Sequence, residues 1–165
     1  MEAALSLGSN RGNRLGHLRR AVRRLAALPG ARVVARSRVY ETEPVDVPDA
    51  YRSLAFLNAV VIVEWSGTAR GLLAAAKAFE RAAGRRPGER NAPRPLDIDI
   101  LYAGDATESR AELTVPHPRW DERRFVLEPL AELRPDAKPP GSRRTVAQAL
   151  AALPPGGVRR LRETL

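Results

Sequence analysis

The stretch Ala3-Ala4-Leu5-Ser6-Leu7-Gly8-Ser9-Asn10 opens the chain with a short apolar run that stops at Gly-Ser-Asn. That is the pattern of a buried strand followed by a turn. Beyond the turn, Leu15, Leu18, Val22 and Leu25 recur at intervals of three or four. Residues 12–28 therefore read as an amphipathic helix, closed by Pro29-Gly30. Residues 32–40 are Val-rich, alternate loosely and predict one strand. Residues 54–64, with Val60-Val61-Ile62-Val63, predict another. An Ala- and Leu-rich helix over 68–83 and a strand over 96–102 follow. The order strand, helix, strand, strand, helix, strand predicts an α+β fold with a ferredoxin-like βαββαβ core and an antiparallel sheet. The C-terminal extension holds Pro116-His117-Pro118, a helix near 123–133, and a Pro-rich tail with one short helix near 146–153.

The chain has 165 residues, which predicts a single domain over 1–165 with a core of its own. Its composition is that of a globular protein, and a mainly disordered chain is excluded. There is no Cys, so no disulfide framework, thiolate nucleophile or Cys-ligated zinc is possible. No apolar run approaches a membrane span, and the N-terminus lacks a signal-peptide layout, so a soluble cytoplasmic protein is expected. The formal net charge is +9. Between Arg11 and Arg38 stand nine Arg and no acidic residue, while the rest of the chain is balanced. That window reads as a nucleic-acid footprint or as a solvated face of the first helix and the strand after it.

The sharpest local feature is Leu96-Asp97-Ile98-Asp99-Ile100-Leu101. On a strand, Asp97 and Asp99 point to one face and Leu96, Ile98 and Ile100 to the other. Two residues along a strand is about 7 Å, so both carboxylates can reach a shared cation or a pair of cations. Oxygen ligands without His or Cys suit Mg²⁺ completed by water and phosphates. The alternative is an edge strand with solvated acids. Arg85, Arg86, Arg90 and Arg94 lie just before this strand in a Gly- and Pro-rich segment that reads as a mobile loop. Guanidinium forks match phosphate oxygens, so acids and arginines together suit polyphosphate chemistry. A solvated basic loop is the bland alternative. His117, between two prolines, is either a proton-transfer or phosphate-contacting group or a structural His. No Gly-x-x-x-x-Gly-Lys-Ser/Thr loop and no Gly-x-Gly-x-x-Gly is present, so a nucleotide must be bound by another device.

The string Arg90-Asn91-Ala92-Pro93-Arg94-Pro95-Leu96-Asp97-Ile98-Asp99-Ile100-Leu101 resembles the signature of the 6-hydroxymethyl-7,8-dihydropterin pyrophosphokinases of folate biosynthesis. Leu7-Gly8-Ser9-Asn10, Tyr40-Glu41-Thr42-Glu43-Pro44, Phe56-Leu57-Asn58-Ala59, residues 113–119 and residues 122–130 resemble further blocks of that family, in order and spacing. The resemblance covers residues 3–135. The chain departs from the pattern at Asn91, where a Trp is frequent, at Pro87, which replaces a basic position, and at Pro118, where an aromatic can follow the His.

The resemblance implies a three-layered α-β-α arrangement and transfer of pyrophosphate from ATP to the pterin hydroxymethyl group, releasing AMP. It implies two Mg²⁺ ions on Asp97 and Asp99, and catalytic roles for Arg85, Arg94 and His117. ATP would be contacted by Glu80, Ile100, Thr114, His117 and Arg123. The pterin would lie between Phe56 and Phe125, with Asn58 reading its polar edge and Thr42, Pro44 and Val45 around it. From the residues alone, Phe56 and Phe125 read as core packing and Glu80 as an exposed helical acid, and only the resemblance gives them site roles. A basic ferredoxin-like RNA-binding module is the rival reading. It lacks the adjacent strand aromatics such sheets use, for FWY residues are only 5% of the chain.

Overall fold

The computed structural model describes residues 1–43, 48–51, 54–86 and 92–165. The opening apolar run is β1 (Glu2–Ser9), in which every residue after Glu2 is buried. A strand buried on both faces belongs inside a sheet. Here β4 (Phe56–Trp65) and β5 (Asp97–Ala103) flank β1, both antiparallel to it. The six-stranded sheet is completed by β2 (Ala31–Arg36), β3 (Arg38–Thr42) and β8 (Val158–Thr164). Its main path runs β5-β1-β4-β3-β8, and β2 pairs with β4. A separate two-residue hairpin is formed by β6 (Glu108–Ser109) and β7 (Thr114–Val115). The architecture is α+β with an antiparallel sheet, as expected.

Two expectations are corrected. The single strand over 32–40 is two strands broken at Ser37. The Ser37 hydroxyl donates to the Arg38 carbonyl at 2.7 Å and accepts from the Val60 amide at 2.9 Å. These bonds satisfy the groups that the interrupted ladder leaves over. The ten residues of β4 thus serve two partners in turn, β2 along residues 61–65 and β3 along 56–58. The second correction concerns the tail. It carries a strand after its helix, because the free edge of β3 offers backbone groups that β8 pairs.

The helices begin where side chains cap them. The Asn13 side chain accepts from the Gly16 amide at the start of α1 (Arg14–Ala27). Thr68 does the same for Gly71 at α2 (Ala69–Ala82). Thr145 and Gln148 form a reciprocal box at α4 (Val146–Ala151). Leu18, Val22 and Leu25 of α1 and Leu72 and Ala76 of α2 pack with Ala3, Leu5, Leu7, Val61, Val63, Ile98 and Ile100. A second cluster joins Val126, Leu127 and Leu130 of α3 (Arg124–Leu133) and Val146 and Ala149 of α4 to Ala4, Val60, Ile62 and Tyr102. Neighbouring strand residues go to different clusters, which is the period-two alternation of a sheet with apolar material on both faces.

The second cluster positions the site. Along β4 its face reads Ile62, Val60, Asn58, Phe56, and along β1 it reads Ala4, Ser6, Gly8. Gly8 lies opposite both Asp97 and Asn58, and Ser6 opposite Asp99. One face therefore changes from apolar to polar near the start of α3.

Candidate active site

A cavity of about 380 Å³ opens at that change. Its floor comes from Ser6, Gly8, Asn58, Phe56, Asp97 and Asp99, and its walls from Thr42, Arg94, Phe125 and the start of α3. The alternation that buries Ile98 and Ile100 in the first cluster turns Asp97 and Asp99 to the cavity. Gly8 is small for a local reason. A Cβ there would stand 3.3 Å from Asn58 Oδ1 and 3.9 Å from Asp97 Cβ. The Asn58 amide is buried and donates from Nδ2 to Thr42 Oγ1 at 2.7 Å, which fixes the orientation of the amide. Phe56 and Phe125, both expected at the pterin, line this same space. The Arg123 guanidinium lies over the Phe125 ring, 5.7 Å from its centre.

The acid pair is asymmetric. Arg85 Nη1 donates to Asp97 Oδ1 at 2.5 Å and Arg94 Nη1 to Oδ2 at 3.0 Å. Among the described residues, none donates to the Asp99 carboxylate. Asp99 keeps some exposure at the cavity floor but is otherwise surrounded by protein. Burial first, and then the charge of Asp97, push its pKa up to about 6. A carboxylate held this way gains from a cation brought to the cavity. No cluster of three or more His, Asp or Glu side chains that could hold a metal occurs among the described residues. Two carboxylates on one strand face nonetheless fit a hard cation that takes its other ligands from water and phosphate.

Arg94 is placed by a group that the sequence reading passed over. Asn10, just past β1, donates its amide to the Arg94 carbonyl at 3.1 Å, and its Oδ1 accepts the Arg94 amide at 2.6 Å. This two-way clamp ties the segment before β5 to the end of β1.

The remaining expected residues are distributed as follows. Thr42, Phe56, Asn58, Arg94, Asp97, Asp99, Arg123 and Phe125 meet in the one cavity. Arg85 joins them through Asp97. Pro44 and Val45 lie outside the described residues. Ile100 is buried in the first cluster and does not line the cavity. Thr114, on β7, spends its hydroxyl on the Arg110 carbonyl at 3.3 Å. His117 is also set back. Its amide donates to the Leu101 carbonyl at 2.8 Å and its Nδ1 accepts from the Arg119 amide at 3.1 Å. That bond puts the ring proton on Nε2, and burial followed by Arg123 and Arg119 lowers the His117 pKa, so the ring is neutral at pH 7. Glu80, expected beside ATP, is turned inward, and its carboxylate is taken up by Lys77, Arg85 and the Ile98 amide. Arg119, Glu122, Arg124, Gly156, Gly157 and Val158 line the cavity without having been expected there. Gly156 and Gly157 arrive because β8 docks on β3. Arg124 holds that approach by donating to the Pro154 carbonyl at 2.9 Å.

An acid pair with guanidiniums beside an aromatic pair and an oriented amide can hold a polyphosphate next to a flat polar ring. That is the equipment of a phosphoryl-transfer enzyme acting on a heterocycle. Residues 4–135 match the family model described as 7,8-dihydro-6-hydroxymethylpterin-pyrophosphokinase (HPPK), and the chain belongs to that family. It is 45% identical over 159 residues to the 2-amino-4-hydroxy-6-hydroxymethyldihydropteridine pyrophosphokinase of Methylorubrum extorquens, covering 96% of this chain and 98% of that one. It is 36% identical over 157 residues to the protein of the same name in Pseudomonas aeruginosa, covering 95% and 94%. A mitochondrial folate synthesis bifunctional protein of Arabidopsis thaliana is 45% identical over 132 residues, which is 80% of this chain but 23% of that protein. The fold is shared with Plasmodium falciparum HPPK-DHPS, solved with pteroate, at a TM-score of 0.69 and 16% identity, covering 91% of this chain and 42% of that one. The chain thus spans nearly all of these two bacterial relatives and less than half of these two longer proteins.

Proposed function

We propose that this cavity is where the chain carries out its family's reaction, the transfer of pyrophosphate from ATP to the hydroxymethyl group of 6-hydroxymethyl-7,8-dihydropterin. Residues 1–165 act as one pyrophosphokinase domain in the cytoplasm, with a ferredoxin-like core in α-β-α layers. The strand order β5-β1-β4-β3 and the two apolar clusters support that layering. The observation that carries the site reading is a single cross-strand row. Asp97, Gly8 and Asn58 are direct neighbours on one face, so phosphate-handling and ring-reading groups share one floor.

In this reading Phe56 and Phe125 sandwich the pterin, whose flat ring gains from two aromatic faces. The buried Asn58 amide reads its edge, and a ring without matching donors and acceptors leaves that amide unpaired. Asp97 and Asp99 would hold Mg²⁺, two ions as the resemblance implies, and the metal would supply neutralisation of phosphate charge. Arg85 and Arg94 then turn their guanidiniums from Asp97 to the transferred phosphates. The pterin hydroxyl oxygen bonds in line to the β-phosphorus, its proton is released, the bond from the β-phosphorus to the oxygen bridging to the α-phosphate breaks, and AMP leaves. On the nucleotide side Arg123 faces the cavity and the neutral His117 offers its Nε2 proton to a phosphate oxygen, while Thr114, Ile100 and Glu80 stand behind the cavity lining and support it without touching the nucleotide. Pro44 and Val45 complete the pterin side.

The test is AMP release with ATP, Mg²⁺ and the reduced pterin. The expected result is AMP formed in proportion to pterin consumed. AMP release indifferent to the pterin would contradict the reading.

A further inference from the structure

Glu80 stands in the last turn of α2, where the helix dipole disfavours a carboxylate. It is also 2% exposed. A charge buried in such a place is retained only with partners. Oε1 forms an ion pair with Arg85 Nη1 at 2.6 Å and accepts from the Ile98 amide at 2.8 Å. Oε2 accepts from Lys77 at 3.0 Å. Ile98 is the residue between Asp97 and Asp99, and Arg85 Nη1 is shared between Glu80 and Asp97. The Arg85 amide donates to the Glu80 carbonyl at 3.1 Å. Lys77, Glu80, Arg85, Asp97 and Arg94 thus form a chain of alternating charge that runs from buried helix end to cavity. Only the last two of these line the cavity.

We infer that Glu80 is a positioning residue acting through Arg85. It is the lasting counter-charge of that guanidinium, keeping it beside the phosphates when Asp97 turns to a cation. The amide of Ile98 needs only an acceptor, which a glutamine also supplies. The guanidinium needs the charge. Glu80→Gln therefore separates pinning of β5 from holding of Arg85. The inference rests on the site reading above, and the two fail differently.

The experiment compares wild type, Glu80→Gln, Arg85→Ala and the double variant by steady-state kinetics, with the side-chain Nε–H signal of Arg85 followed by ¹⁵N NMR. The expected result for Glu80→Gln is a wild-type melting profile, a kcat lowered about 100-fold by misplacement of Arg85, and KM values for both substrates within threefold of wild type. Arg85→Ala and the double variant should be equally slow, because Glu80 has nothing left to position. In wild type the Arg85 signal should stay protected from exchange with and without Mg²⁺ and a non-hydrolysable ATP analogue. In Glu80→Gln it should lose that protection. An unchanged kcat in Glu80→Gln, or losses that multiply in the double variant, overturns the inference. So does a raised KM for ATP with kcat intact, which marks a direct nucleotide contact. Should Glu80→Gln fail to fold, the wild-type signal decides, and loss of its protection on adding the analogue overturns the inference. Full turnover by Arg85→Ala overturns the site reading itself.

Discussion

Arg19, Arg20, Arg23 and Arg24 on α1 and Arg85 and Arg94 before β5 are one side chain in two settings. The α1 group is exposed and carries much of the positive surplus. The second pair is partly buried, and each guanidinium is held by an acid of the cavity or behind it. Charge in water is screened within about 8 Å at physiological salt, while charge at a protein-walled cavity is screened much less. In the proposed site, function rests on the second setting. The α1 window also does structural work that a solvated face does not describe. Arg19, Arg36 and Arg38 donate to the carbonyls of Thr164, Leu165 and Arg162, and so hold the C-terminal strand to the molecule.

The largest contrast is in turnover. Arg94→Ala should lower kcat about 1,000-fold, the size of effect seen when a transition-state guanidinium is removed, while Arg23→Ala should stay within twofold of wild type. Equal losses in parallel assays would erase the distinction between the two settings.

Asp99→Asn sharpens it through stability. In the metal-free protein the folded pKa of Asp99 is raised, to about 6, against about 4 unfolded. The folded state therefore binds more protons than the unfolded state across that window, and stability falls as pH rises through it. Removing the charge should stabilise the metal-free protein by about 3 kcal/mol above pH 6. The gain should vanish below about pH 4. Turnover should be lost at the same time. Thermal melts in chelator across the pH range check this, and a gain that persists at low pH would reject it.

Gly8→Ala should raise the KM for the pterin about tenfold with little change in melting temperature, because the new methyl presses on Asn58 Oδ1. An equal rise for ATP alone would put the crowding elsewhere. The smallest effect belongs to the α1 window. Arg19→Ala should lower the melting temperature by about 2 °C by releasing one exposed hydrogen bond to Thr164, with kcat unchanged.

How legible these settings are in sequence depends on the range of the interaction. β1, α1, α2 and the acid strand declare themselves through local periodicity. That Asp97 and Asp99 share one face follows from alternation alone, and the resemblance supplies their role together with Phe56, Asn58 and Phe125. The break at Ser37 is not legible, because residues 32–40 read as one alternating run and only the pairing with β4 divides them. Nor is β8 legible. Val158-Arg159-Arg160-Leu161-Arg162-Glu163-Thr164 has two apolar residues and exists as a strand because β3 has a free edge. Gly156 and Gly157 reach the cavity only through that docking. Glu80 looks like a surface acid on a helix, and its burial comes from Ile98 and Arg85 meeting it in three dimensions.

The central claim is that the acid pair and the pterin pocket share one floor, and a paramagnetic metal tests it most directly. Mn²⁺ is bound with a non-hydrolysable ATP analogue, and the proton relaxation of the bound pterin is measured in wild type and in Asp97→Ala. The predicted result is strong broadening of the hydroxymethyl protons in wild type, lost in the variant. Bound pterin with undisturbed hydroxymethyl signals in wild type would contradict it.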